Sequence, residues 1–301
     1  MADRERVGLI GVGNMGGPMA RCLAKRDHPV MLYDTRSDVT GALAAESNLF
    51  TVAPDLKTMG AECRTIITML PDSRIVRLAT FGNDGAGGFA AGARRGGVVV
   101  DMSSSYPIDT QKLGAELAER GIALVDAPVS GGVPKAITGT LAIMAGGKSE
   151  DIDRVEPVLQ AMGTVLRTGP LGTGHAMKAL NNYVSAAGLV ATAEALVVGQ
   201  RFGLAGETMV QVLNASTGKN NTTENKAARY MLSHAFNSGF ALALMDKDVG
   251  MANRLAEELG IEAAELGFMT KLLGKVLAEL GANADHTAVY DYAERKGGLK
   301  T

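Results

Sequence analysis

The sequence predicts an α/β domain followed by an all-α domain, and three observations predict it. Short β-rich runs alternate with amphipathic segments up to residue 168, a glycine turn joins the first strand to the first helix, and from 172 onward the apolar period is helical almost throughout. The chain has 301 residues and is 46% hydrophobic, which reaches the size, ~250–300 residues, at which single cores stop growing. Two domains are therefore expected, 1–168 and 169–301, joined at the turn-rich GPLGTG.

In chain order, RVGLIGVG (6–13), VMLYD (30–34), TIITMLP (65–71), GVVVDMSS (97–104), ALVDAPV (123–129) and TLAIMAG (140–146) read as strands. Between them, 15–26, 37–46, 73–81, 107–120 and 149–163 carry helical spacing, and the alternation ends after TVLRTG (164–169). Helices follow at 172–203, 206–216, 225–233, 239–260, 262–281 and 286–296. Ala186, Ala187, Gly188 and Ala191 permit close backbone approach, so the long helix is expected to lie between neighbours.

Charge excludes some functions. Thirty Lys and Arg against 32 Asp and Glu, without a basic block and with only 4% aromatics, lack the electrostatic footprint of a nucleic-acid binder. No stretch approaches the ~20 apolar residues of a membrane span, and the N-terminus shows no cleavable apolar region, so a soluble, cytoplasmic protein is expected. Cys22 and Cys63 have no paired spacing, and His28, His175, His234 and His286 are scattered, so neither a disulfide nor a metal site is expected.

GVGNMG places Gly11, Gly13 and Gly16 in GxGxxG register, with Val12, Asn14 and Met15 between them, after a strand and opening a helix. The glycines supply a tight turn, room for the backbone to reach a pyrophosphate, and close helix–strand packing. Asp34, at the end of the next strand, suits a ribose 2′-hydroxyl and favours NAD; Arg36, past Thr35, partly offsets its charge and keeps NADP open. In DAPVSGG, Ser130, Gly131 and Gly132 follow a strand end, where freed N–H groups can hold a carboxylate. In GTGHAMKALNNY, Lys178 and Asn182 lie one turn apart on one helix face with Asn181 beside them. A lysine partly desolvated beside a cationic nicotinamide is a usable proton donor and acceptor, and Asn182 would align the substrate.

These segments, in order, are GVGNMGGPMA, ITMLP, DMSS, DAPVSGGVPKAITGTL, GTGHAMKALNN and MDKD. Together they resemble the signature segments of the β-hydroxyacid dehydrogenase family, the 3-hydroxyisobutyrate dehydrogenase and tartronate semialdehyde reductase type, over essentially the whole chain. The resemblance implies a Rossmann-type N-terminal domain, an all-α C-terminal domain, and reversible NAD(P)-linked oxidation of a small 3-hydroxy acid to its semialdehyde. It makes Lys178 the catalytic residue, Ser130, Gly131, Gly132 and Asn182 the substrate-binding groups, and Leu70, Pro71, Ser104 and Lys247 cofactor-lining positions. It also implies homodimers or homotetramers. Retention of Lys178 with Ser130 and Asn182 argues against imine reduction and against a non-catalytic scaffold. The polar run ASTGKNNTTENK (215–226) suggests a more polar substrate, such as threonate or a sulfonated aldehyde. Read locally, the same run is a capped loop with Thr222 or Thr223 as cap. Lys135 reads as a surface charge, and Asp246 with Asp248 as a solvated helix turn rather than a metal site.

Overall fold

A computed structural model describes residues 5–83 and 87–299, which form two compact units, Met1–Lys178 and Ala179–Thr301. In the first, six strands lie parallel: β1 (Val7–Ile10), β2 (Val30–Tyr33), β3 (Phe50–Val52), β4 (Thr65–Thr68), β5 (Val98–Asp101) and β6 (Ala123–Asp126). Their order, β3-β2-β1-β4-β5-β6, continues through β8 (Leu141–Gly146) to β7 (Val129–Ser130), while β9 (Gly163–Gly169) pairs with β8. This is the Rossmann-type arrangement. Its direction of winding reverses between β1 and β4, where such sheets open a crevice at their carboxyl ends.

Crossover helices α1 (Gly16–Ala24), α2 (Ser37–Ala44), α3 (Leu56–Glu62), α4 (Ser73–Phe81) and α5 (Pro107–Glu119) bury one stripe each against the sheet. Period-2 alternation in the strands builds a core on each face: Leu9, Val98 and Val100 join one cluster, Ile10 and Val99 the other. The sequence reading missed β3 and α3, and also β7 and α6 (Gly132–Thr138). All are too short to establish a period, and Pro134 obscures the last helix.

After α7 (Ser149–Leu159), α8 runs from Thr173 to Phe202. By length and composition it could cross a membrane, contrary to the sequence expectation, and half of its most apolar window is buried inside the fold. Ala179, Ala186, Leu189, Ala193 and Leu196 supply its core face, whereas Ala191 lies on the exposed face. The second unit adds α9 (Gly206–Asn214), α10 (Asn221–Asn225), α11 (Leu242–Glu258), α12 (Ala264–Leu280) and α13 (Val289–Lys296). Tyr290 is fully buried in its core and gives its hydroxyl hydrogen to Gln200 Oε1 at 2.7 Å. The single helix expected at 225–233 is instead α10 and a π-helical turn, Ala227–Leu232, separated where Lys226 leaves helical geometry. The cap of α10 is Asn220, not Thr222 or Thr223: its side chain accepts from both threonine N–H groups, and Thr223 Oγ1 accepts from Asn220 N in return.

One carboxylate fastens the turn before α11 to the turn before α13. Asp285 accepts from Ser238 Oγ at 2.9 Å, Gly239 N at 2.9 Å, Thr287 N at 2.9 Å and Thr287 Oγ1 at 2.5 Å. Burial alone would raise its pKa, but hydrogen bonds from His286, Thr287 and Ser238 outweigh burial and hold it well below the usual carboxylate range. A depressed folded-state pKa contributes stability that is complete above the unfolded value near 3.9 and is lost as pH falls through the folded value. The stability gap between wild type and Asp285→Asn should thus be widest near neutrality and narrow as pH drops below about 4. Thermal melts followed by circular dichroism from pH 7 to pH 3 check this; a gap that stays constant would refute the assignment.

Candidate active site

The loop between β1 and α1 passes over the switch point of the sheet. Gly11 sits at φ +90°, and a Cβ there would stand 2.3 Å from Met69 O, just beyond β4. A Cβ on Gly16 would stand 1.9 Å from Gly11 O, so the helix can begin this close to the turn only with glycine. At Gly13 an added Cβ would meet no backbone, only Arg36 Nη2 at 3.2 Å. The turn, the open approach and the packing contact fall on three different glycines, and the cradle fits a dinucleotide pyrophosphate.

Asp34, at the end of β2, turns back onto this loop. Its Oδ2 accepts from Val12 N at 3.0 Å, and its Oδ1 accepts from Arg36 N and Arg36 Nε, both at 3.1 Å. Burial pushes its pKa up, but the Arg36 and Val12 hydrogen bonds prevail and hold it below the ordinary value. Thr35 and Arg36 are exposed, and the guanidinium lies beside Gly13, next to the anion cradle.

The loops after β4 and β5 form the next part of the rim. Leu70 N donates to Ser103 Oγ at 2.9 Å, which ties the Leu70–Pro71 turn to the residue before Ser104. Beneath them Asp101, 1% exposed, accepts from Thr68 Oγ1, Ser103 N and Ser105 Oγ at 2.9, 3.0 and 2.6 Å. Further along the edge, Ser130 ends β7, and Gly131 and Gly132 follow with φ +127° and +66°. Both glycines are exposed, and their N–H groups leave the ladder at the turn into α6. Lys135 is exposed as expected, but its stem folds over Gly131, where an added Cβ would meet Lys135 Cδ at 2.5 Å.

The start of α8 explains the glycines of GTGHAMK. Gly172 turns the chain at φ +92°, and a Cβ on Gly174 would lie 2.2 Å from Met144 O. This close approach lets Asp126 cap the helix from β6: its Oδ1 accepts from Gly172 N at 2.8 Å and its Oδ2 from His175 N at 2.7 Å. Burial pushes the Asp126 carboxyl above its usual range, against the opposing pull of His175 and of these backbone N–H groups. Lys178, half-buried, follows three residues after His175.

In the second unit Asn182 is buried and gives an Nδ2 hydrogen to Asp248 Oδ2 at 2.6 Å, while its Oδ1 accepts from Asn181 Nδ2 at 3.1 Å. Asp248 is therefore not part of a solvated turn; at 2% exposure it holds the amide of Asn182 in one orientation. Lys247 Nζ lies 3.7 Å from Asp248 Oδ1, and burial raises the Asp246 pKa. Among the described residues no group of His, Cys, Asp and Glu could hold a metal ion. In the 215–226 run, Thr222 and Thr223 are buried in the cap of α10, and Lys219 pairs with Glu224 at 3.0 Å. Sequence reasoning quoted DMSS and DAPVSGG but assigned nothing to Asp101, Asp126 or His175. The signal available was a carboxylate closing each of two successive strands.

Comparison with known proteins agrees with this fold. Residues 6–172 match the family model for the NAD binding domain of 6-phosphogluconate dehydrogenase. Residues 172–293 match that for the NAD-binding of NADP-dependent 3-hydroxyisobutyrate dehydrogenase. The chain is 33% identical to 2-(hydroxymethyl)glutarate dehydrogenase of Eubacterium barkeri over 300 residues, covering 99% of this chain and 98% of that protein. It is 32% identical to mitochondrial 3-hydroxyisobutyrate dehydrogenase of Mus musculus, covering 97% and 88%. The solved structure of Mycobacterium tuberculosis 3-hydroxyisobutyrate dehydrogenase with L-serine superposes with a TM-score of 0.87 at 30% identity, covering 96% of this chain and 99% of that one. Fold and glycine cradle define an NAD(P)-dependent oxidoreductase. The chain belongs to the β-hydroxyacid dehydrogenase family, whose members act on small hydroxy acids.

The contrast between Gly13 and Gly16 is testable. Gly16→Ala should cost about 1–3 kcal/mol or more by overpacking. Gly13→Ala should stay within about 0.5 kcal/mol of wild type yet weaken NADH binding. Urea unfolding and NADH fluorescence titration read the two effects separately. Equal stability loss in both variants, or wild-type NADH affinity in Gly13→Ala, would show the roles to be misassigned.

Proposed function

We propose that this protein interconverts a small 3-hydroxy acid and its semialdehyde, of the 3-hydroxyisobutyrate or tartronate semialdehyde type, with Lys178 as general acid and base. The observation that carries the proposal is the anchored start of α8, which sets Lys178 one helical turn past the Asp126 cap. Gly11 to Gly16 and Asp34 hold the dinucleotide, with Thr35, Arg36, Leu70, Pro71, Ser104 and Lys247 lining it; the bound NAD(P) supplies the hydride acceptor. NAD is the favoured cofactor because the Asp34 carboxylate opposes a 2′-phosphate, while the adjacent Arg36 leaves NADP usable.

Ser130, Gly131 and Gly132 take the substrate carboxylate on N–H groups of the turn. Neutral Lys178 accepts the hydroxyl proton as the carbon is oxidised; in the reverse direction the protonated amine donates to the aldehyde oxygen. Asn182, one turn along the same helix and fixed by Asp248, hydrogen-bonds the reacting oxygen and keeps it aligned.

The domain roles follow: 1–168 binds the dinucleotide, and 169–301 contributes substrate binding and oligomerisation. The working place is the cytoplasm. On the exposed side of α8, Val184, Ala191, Ala195, Val198 and Phe202 recur at helical spacing, with Val198 69% and Phe202 87% exposed, a stripe suited to a second copy. Sedimentation should show a dimer or tetramer that Val198→Glu with Phe202→Glu dissociates; a monomeric wild type would end this part of the reading.

Nicotinamide absorbance provides the main test, with NAD and NADP in parallel. The panel is 3-hydroxyisobutyrate, 2-(hydroxymethyl)glutarate, L-serine, glycerate, 3-hydroxypropionate, threonate and sulfolactate. Lys178→Ala should lower turnover about 10²–10⁴-fold while still binding NADH. Near wild-type turnover in that variant would remove Lys178 from the mechanism.

A further inference from the structure

We infer that His175 is a positioning residue for the reaction. Through its two ring nitrogens, the loop after β5, proposed to line the cofactor, and the α5 helix that follows it hold the helix that carries Lys178. The inference rests on the reading of Lys178 as the acid–base group.

The ring is 1% exposed and is bonded on both sides. Nε2 faces Ser103 O at 3.1 Å; a carbonyl oxygen only accepts, so Nε2 carries the hydrogen. Nδ1 pairs with the Thr110 hydroxyl at 2.8 Å, on α5. Two bonds at opposite edges of a planar ring, with the His175 backbone N–H held by Asp126, fix the ring and the rotation of the first turn about the helix axis.

Each contact of His175 leads somewhere specific. Ser103 donates its N–H to Asp101 Oδ1, receives Leu70 N–H on its hydroxyl, and precedes Ser104. A continuous run of hydrogen bonds thus passes from Leu70 through Ser103 to His175, three residues before Lys178. At 1.5 Å rise per residue, Lys178 stands about 4.5 Å further along the axis and near the same face. A small rotation of the first turn would therefore swing the amine sideways, and misplacement by about 1 Å can cost about 10²-fold in rate.

Packing alone does not account for the histidine. Leucine would fill a similar volume, whereas a buried imidazole costs stability unless both nitrogens are satisfied. Here both are satisfied, one by the loop after β5 and the other by the first turn of α5. The carboxylates of Asp101 and Asp126 also lie 3.8 and 3.7 Å from the ring.

The test compares wild type with His175→Gln, His175→Leu, Thr110→Val and Lys178→Ala, using 3-hydroxyisobutyrate and NAD as the probe. His175→Leu and Thr110→Val should lower kcat about ten- to hundredfold, with KM and NADH affinity within about twofold. His175→Gln, which keeps an N–H where Nε2 stood, should recover most of the loss. Wild-type kcat in both His175→Leu and Thr110→Val overturns the inference, as does a parallel fall of kcat, NADH affinity and melting temperature that glutamine does not rescue.

Lys178→Ala separates the two failures. If that variant turns over normally, the reading of Lys178 is wrong; if it is inactive while the His175 and Thr110 variants match wild type, only the positioning role is wrong. A second readout needs no substrate turnover: reductive methylation of Lys178 relative to the exposed Lys57, quantified by peptide mass spectrometry with NAD bound. The ratio should shift in His175→Leu and Thr110→Val and return in His175→Gln; an unchanged ratio overturns the inference.

Discussion

The Asp126 carboxylate is the constraint on which the site depends. It sits at the carboxyl end of a buried parallel strand and accepts the Gly172 and His175 N–H groups that the first turn of α8 would otherwise leave unpaired. A strand end is a rigid point in such a sheet, so the cap transfers that rigidity to the helix and to Lys178. The negative charge also faces the positive end of the helix dipole, which favours it there. Gly146 and Gly174 make the contact possible, because a Cβ on either would stand within 3 Å of an Asp126 oxygen.

Burying Asp101, Asp126 and His175 together is costly, and the structure offsets the cost by bonding nearly every polar atom of the group. The result is a buried polar layer beneath the carboxyl ends of the strands. Asn182 and Asp248 repeat the device in the helical unit on a smaller scale. A buried amide gripped at 2.6 Å has few orientations left. Cys22 and Cys63 are buried and form no disulfide with each other, and burial pushes the Cys63 thiol up to about 11.

Around the glycine loop, the division of labour follows from where a side chain would collide. Gly11 and Gly16 are required by the protein's own backbone, and Gly13 is left clear for a ligand. Asp34 joins loop to strand through Val12, so the residue suited to a ribose hydroxyl also stiffens the phosphate turn. Arg36 neutralises that carboxylate at close range, which softens the usual electrostatic preference between the two dinucleotides.

Local pattern was enough for much of this molecule. The period-2 runs of the strands, the 3.6 period after residue 172, the spacing of Gly11, Gly13 and Gly16, and the one-turn spacing of Lys178 and Asn182 are short-range features, and each is set by side-chain alternation or backbone sterics that neighbours in sequence impose. What the tertiary structure decided are the contacts that join distant segments: Asp126 with Gly172 and His175, His175 with Ser103 and Thr110, Asp248 with Asn182. No sequence period encodes them. Asp248 read as a solvated acid and His175 as one scattered histidine, because a polar residue's role depends on which groups the fold buries beside it, and burial changes the energy of an unpaired hydrogen bond far more than any local propensity does.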